Sequence, residues 1–266
     1  MAKAPLLKVE GLEVVYQRAI TALHGVDLIA ALGSITAILG NNGAGKTTTL
    51  RAISGFIGLD QARVSKGSIR FNGHDLQNRP PHLISALGVT VVPERNKVFP
   101  NLTVADNLAV VMTRSSSAER RRSEELIYEY FPRLASMRDK EGGLLSGGER
   151  QMLAIGAALV CGPELLMIDE LSLGLAPAIL DDLADRLVRI QREMNLTVLI
   201  VEQNAAIALR IAHEIFVLEN GKTVLRGTPS ELRRNRDIQD LYLGTSSGKR
   251  VNYREAVRER GRLGQR

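Results

Sequence analysis

Apolar and polar positions change their pattern three times along the chain. Near the start they alternate, with Leu7 and Val9, then Leu12, Val14 and Tyr16, each recurring two apart, the period of a half-buried strand. A second group at 67–72 reads Gly-Ser-Ile-Arg-Phe-Asn and ends on the turn pair Asn72-Gly73. Short runs that are almost wholly apolar follow a different rule. Ile35–Leu39, 88–92, 165–168 and 197–201 read as strands covered on both faces. Between them, 101–160 loses strand alternation and fills with helix formers and charge clusters, Arg120–Arg122 among them as a solvated helix face. Ser115-Ser116-Ser117 there suits a loop and a helix N-cap. Close to the end, 215–219 and 223–226 flank Asn220-Gly221, a two-residue hairpin signal. Thr228, Pro229 and Glu231 then supply an N-cap, a first-turn proline and an N3 glutamate for a helix. Strands alternating with helices predict an α/β chain with a mainly parallel sheet and an inserted helical lobe.

Gly40-Asn41-Asn42-Gly43-Ala44-Gly45-Lys46-Thr47-Thr48 directly follows the apolar run Ile35–Leu39 and precedes a helix start at 47–53. The spacing fits G-x-x-x-x-G-K-[ST], a phosphate-cradling loop. Its glycines let backbone N–H groups turn inward, and phosphates then sit at a helix N-terminus, where unpaired N–H groups and the dipole favour negative charge. Lys46 is expected to reach the outer phosphates and the Thr47 hydroxyl to hold Mg²⁺, so ATP and Mg²⁺ are the expected ligands. A second apolar run, 165–168, leads into Asp169-Glu170. Two carboxylates at the C-terminal end of a buried strand lie where open α/β sheets bind ligands. Asp169 is read as organising Mg²⁺ opposite Thr47 and Glu170 as the general base on the attacking water. Leu145-Ser146-Gly147-Gly148-Glu149-Arg150-Gln151 is a helix-capping sequence whose exposed N–H groups can hold a γ-phosphate, Ser146 adding a hydrogen bond.

Composition narrows the setting. The net charge of +6 is concentrated: Lys249 and six arginines against Glu255 and Glu259 give 245–266 a net +5 and leave the rest near neutrality. The near-neutral body argues against a nucleic-acid partner, and the tail reads as a solvated extension or, as the sharper alternative, an electrostatic contact with anionic lipid headgroups. No apolar run approaches the roughly 18 residues a bilayer span needs, and the first residues lack the apolar core of a secretory signal. The single cysteine, Cys161, fits a reducing compartment and a buried structural thiol.

With the phosphate loop and the strand-end carboxylates, Leu-Ser-Gly-Gly-Glu-Arg-Gln at 145–151 resembles the signature sequence of ATP-binding cassette (ABC) proteins. The resemblance covers 6–244 and implies the P-loop ABC cassette fold, with a mainly parallel core sheet, an antiparallel β subdomain and an inserted helical subdomain. Its boundaries would be a core at 1–93 and 162–244, a helical subdomain at about 95–161 and a basic tail at 245–266. It implies a head-to-tail pair in which one chain's phosphate loop and its neighbour's Ser146, Gly147 and Gly148 enclose each ATP, and it implies that Tyr16 stacks on adenine. Ser172-Leu173-Gly174-Leu175-Ala176-Pro177, Glu202-Gln203-Asn204 and Pro93-Glu94 stand at positions where most cassettes carry other residues. This combination resembles the ATP-binding subunit of branched-chain amino acid importers, with urea and amide importers close behind and a soluble non-transport ABC ATPase as the rival reading. That implies a sister or identical cassette, two membrane permease subunits, an extracytoplasmic substrate-binding protein, and a peripheral position on the cytoplasmic face of the cell's inner membrane. Gln203 in place of histidine can hydrogen-bond a γ-phosphate without carrying a proton. Glu94 in place of glutamine can ligate Mg²⁺. Leu171 replaces a usual proline, and Val98-Phe99 are expected to line a groove for a short helix of a membrane partner.

Overall fold

A computed structural model of the chain describes residues 4–17, 19–95, 97–111 and 117–235. Two long strands, β1 (Pro5–Tyr16) and β2 (Ile20–Ala31), pair antiparallel. β3 (Ile35–Leu39) runs into the glycine loop and α1 (Lys46–Ser54). β4 (Ala62–Phe71) and the short β5 (His74–Asp75) return to the first pair, giving an antiparallel sheet of order β2-β1-β4-β5. α2 (Pro81–Ser85) leads to β6 (Val89–Val92). The helical segment follows: α3 (Val104–Ala109), α4 (Ser117–Tyr130), α5 (Pro132–Ala135) and α6 (Gly147–Val160). Then come β7 (Leu165–Asp169), α7 (Pro177–Glu193), β8 (Thr197–Glu202), α8 (Ala205–Ile211), β9 (Glu214–Glu219), β10 (Lys222–Gly227) and α9 (Pro229–Arg234). The second sheet has the order β10-β9-β3-β8-β7-β6, parallel throughout except for β10.

This second sheet divides two apolar cores, and the pleat explains the division. Ile35, Ala37 and Leu39 of β3, Leu166 and Ile168 of β7, and Val198 and Ile200 of β8 face α6, α7 and α8. The residues between them, Ile38, Leu165, Met167, Leu199 and Val201, face α1 and the antiparallel sheet. Every residue of β3, β7 and β8 is buried, because successive side chains point to opposite faces and both faces are covered. On α7 the buried positions Leu180, Leu183, Ala184, Leu187, Ile190 and Gln191 follow a helical stripe. The helical segment has no core of its own: Val104, Leu108, Ile127, Phe131, Leu153 and Ile155 join the same cluster as Leu166 and Leu187. Among the described residues no helix is long and apolar enough to cross a membrane.

Several expectations need correcting. The strand expected at 67–72 starts at Ala62, since Ala62 and Val64 pair with Tyr16 and Val14 of β1. Val98 and Phe99 do not act as a pair: Val98 packs on the helical core, whereas Phe99 is exposed. Arg120 is half-buried, bonded to Glu124 and the Leu108 carbonyl, while Arg121 and Arg122 are exposed. Cys161 is half-buried, its thiol pushed above the ordinary range by burial and donating to the Ala157 carbonyl. The tail at 245–266 and the serines at 115 and 116 lie outside the described residues.

Candidate nucleotide site

Gly40 to Gly45 turn between the end of β3 and the start of α1, and geometry explains why three of these positions are glycine. A Cβ on Gly40 would come 2.7 Å from the Leu218 carbonyl oxygen. Gly43 and Gly45 have φ of +82° and +102°, which side chains rarely adopt. Lys46, almost wholly buried, folds back to donate to the carbonyls of Gly40 (2.9 Å) and Asn41 (3.3 Å). Burial pulls its ammonium below the usual lysine range, opposed by the charges of Glu170, Asp169, Glu202 and Glu94.

The carboxylates stand across from this loop because β3, β8, β7 and β6 run parallel and end on one edge. Thr47 Oγ1 donates to Asp169 Oδ1 at 3.4 Å, and Glu170 Oε1 lies 3.8 Å from Lys46 Nζ. Burial pushes the Asp169 carboxyl up to about 6; the Thr47 bond opposes this, and the charges of Glu170 and Glu94 add to it. Glu170 has φ of +56°, a left-handed conformation costing about 1–3 kcal/mol for a non-glycine residue. A cavity of about 460 Å³ opens between these groups, lined by the loop residues Asn42, Gly43, Gly45, Lys46, Thr47 and Thr48 together with Glu94 and Glu170.

The remaining expected residues are placed differently. The Tyr16 hydroxyl lies 3.5 Å from Thr48 Oγ1, so the ring stands beside the start of α1. Gln203 is exposed, one residue beyond β8, and does not line the cavity. Neither do Ser146, Gly147 and Gly148. Those three begin α6 in a capping box, with the Ser146 hydroxyl accepting from the Glu149 amide and the Glu149 carboxylate accepting from the Ser146 amide. That amide bond holds the Glu149 carboxyl below its usual range. Gly148 packs so tightly on α7 that a Cβ there would lie 2.5 Å from Ile179 Cγ2.

Residues the sequence reading passed over also line the cavity: Thr21, Ala22 and His24 from β2, and Asn220 from the β9–β10 turn. Their signal was the turn pair at 220–221 and the spacing of Leu23, Val26, Leu28 and Ala30, which are the buried positions of β2. Oxygen donors dominate the site, as hard divalent cations require. Among the described residues, no group of three or more His, Cys, Asp or Glu is placed to hold a metal ion. A few protein oxygens facing a phosphate loop suit Mg²⁺, which keeps waters and substrate phosphates as its other ligands.

Comparison with known proteins agrees with this geometry. A family model described as "ABC transporter" matches residues 23–172. The chain is 40% identical over 229 residues to the high-affinity branched-chain amino acid transport ATP-binding protein BraG of Pseudomonas aeruginosa, covering 86% of this chain and 96% of that protein. It is 30% identical over 256 residues to BraF of the same organism, another high-affinity branched-chain amino acid transport ATP-binding protein, covering 90% and 98%. Its fold is similar to that of cbiO1 from Clostridium perfringens, part of the ABC transporter complex cbiONQ, with a TM-score of 0.77 at 27% identity over 89% of this chain and 95% of that one.

Proposed function

The chain belongs to the ABC transporter family and is one of its ATP-binding ATPases, and from that premise we propose that it powers an importer of branched-chain amino acids. The observation that carries the proposal is the cavity itself. It sets the loop residues Asn42, Gly43, Gly45 and Lys46 beside Glu170, with Asp169 bonded to Thr47, in a chain similar over most of its length to two branched-chain transport ATP-binding proteins.

Within that cavity the loop N–H groups of Asn41 to Gly45 and the first turn of α1 cradle the phosphates of ATP, with Thr48 beside them. Lys46 exchanges its carbonyl partners for the outer phosphate oxygens, and Tyr16 stacks on adenine at the open side. Thr47, Asp169 and Glu94 would hold Mg²⁺, which would neutralise charge on the transferred phosphoryl group. Glu170 accepts the proton of the attacking water. Gln203 donates a hydrogen bond to the γ-phosphate once its loop moves inward.

Ser146, Gly147 and Gly148 serve the nucleotide of a neighbouring cassette, since none of them lines the cavity of their own chain. Similarity to both BraG and BraF of one organism favours a sister chain as that neighbour. Two permease subunits, fed by an extracytoplasmic substrate-binding protein, complete the importer. The exposed Phe99, held by bonds between its backbone and Asn107, belongs to the surface that meets them, and the chain works peripherally on the cytoplasmic face.

The test is ATP turnover by the complex that co-purifies with this chain, reconstituted in vesicles. Turnover should rise when a leucine-loaded binding protein is added and stay low with urea or amides. Stimulation by urea alone, or by no solute, would overturn the substrate assignment. Glu170→Gln should lower turnover by about 10²-fold or more while ATP still binds.

A further inference from the structure

Glu202 ends β8 with its side chain wholly buried, where a carboxylate is costly unless its oxygens are met. They are met three times. Ser172 donates its amide to Oε1 at 2.9 Å and its hydroxyl to Oε2 at 2.7 Å, and the Asn204 amide donates to Oε2 at 3.3 Å. The Glu202 carbonyl in turn accepts from the Gly40 amide at 3.3 Å. Ser172 lies two residues beyond Glu170, Asn204 follows Gln203, and Gly40 opens the phosphate loop. One residue therefore ties together three loops at the carboxyl edge of the parallel sheet, without lining the cavity.

Glu170 is the group that needs this support. Its left-handed backbone, φ +56°, persists only where the surroundings over-determine it. Three anchors do so. The Glu170 amide donates to the Val201 carbonyl at 3.0 Å. The Leu171 side chain is fully buried in the core. Ser172 is held at both of its donors by Glu202. Release of the third anchor frees the chain beyond Leu171, and the peptide at 170–171 can relax from its strained turn.

We propose that Glu202 is a positioning residue for Glu170, its buried carboxylate clamping Ser172 so that Glu170 stays in the left-handed turn that aims its side chain at Lys46. The inference rests on the reading of Glu170 as general base. It predicts a defect in the chemical step with little change in nucleotide binding, because the Glu202 side chain bonds to Ser172 and Asn204 rather than to the cavity lining, and its charge acts on Lys46 less than those of Glu170 and Asp169 do.

The experiment compares Glu202→Gln, Ser172→Ala, Glu170→Gln and the Glu170→Gln/Glu202→Gln double variant of the full-length chain, measuring ATP turnover in the co-purifying complex, and ATP affinity and amide exchange at 171–176 in the isolated chain. Glutamine keeps the size of Glu202 but offers NH₂ protons where Ser172 and Asn204 already donate. Turnover in Glu202→Gln should fall roughly tenfold or more, the scale of a misplaced catalytic group, with ATP affinity unchanged within about twofold. Ser172→Ala, which removes the hydroxyl bond and keeps the amide bond, should fall less, exchange at 171–176 should quicken in both, and the double variant should be no slower than Glu170→Gln. Normal turnover in Glu202→Gln and Ser172→Ala beside an inactive Glu170→Gln would overturn the positioning role alone. Loss of ATP affinity in parallel with turnover would overturn it too, as a general structural defect. Normal turnover in Glu170→Gln would instead overturn the base assignment, and the positioning role with it.

Discussion

A methyl group on Gly40 would meet the Leu218 carbonyl oxygen of β9 at 2.7 Å and Ala44 Cβ at 2.9 Å. At Gly43 the same methyl meets nothing within 4 Å, and only φ of +82° opposes it. Gly40→Ala should therefore cost about 1–3 kcal/mol of stability by overpacking, and Gly43→Ala nearer 1 kcal/mol from the left-handed backbone. Denaturant midpoints of the two variants check the order, and equal losses would show that the loop relaxes around residue 40. Such glycines are legible in sequence because their spacing alone encodes the backbone path. Lys46, Thr47, Asp169 and Glu170 are legible for a similar reason, each standing at a fixed offset from an apolar run. Glu202 and Leu171 were not. Their meaning lies in bonds to Ser172 and in burial among residues distant in the chain, and no local pattern encodes either.

Helix caps carry their own chemistry and were read correctly from sequence at both Ser146–Glu149 and Thr228–Glu231, where the structure shows reciprocal capping boxes. The first has a pH signature. The Ser146 amide holds the Glu149 carboxyl below its ordinary value of 4.5, so the ionised carboxylate is favoured in the folded chain. Its contribution is fully present above the unfolded value and fades as pH falls through the lower folded one. Wild type should exceed Glu149→Gln in unfolding free energy by about 0.5–1 kcal/mol at pH 7, and the gap should close under acid, below the ordinary value of 4.5. An unchanged gap under acid would mean the charge contributes nothing. Strands were legible unevenly. The runs at β3, β7 and β8 declare themselves because both faces are buried. In β2, by contrast, the step from Leu23 to Val26 breaks the period of two, and the pairing with β1 is irregular at several points. That break hid the strand, and with it Thr21, Ala22 and His24 of the cavity wall.

At the scale of the whole molecule, the five parallel strands β9, β3, β8, β7 and β6 lie between two cores and must all end on one edge. That edge therefore collects Gly40, Glu94, Asp169, Glu170 and Glu202 without any contact among them being specified in advance. The sequence order of apolar runs already implied this convergence. What it did not imply is the placement of α6, whose start rests on α7 through Gly148 and Ile179 and leaves Ser146 out of the lining of its own chain's cavity. Two consequences separate cleanly. Dilute, isolated Ser146→Arg should bind ATP with unchanged affinity, within about twofold, because nothing at its own cavity has altered. In the assembled complex the same substitution places a bulky cation where a neighbouring cassette's γ-phosphate would meet the helix start, and turnover should fall by about 10²-fold, as on losing a preorganised donor set. Nucleotide titration of the isolated variant and turnover of the complex measure the two effects independently. If the isolated variant lost ATP, Ser146 would serve the cavity of its own chain; if the complex kept full turnover, no composite site would form.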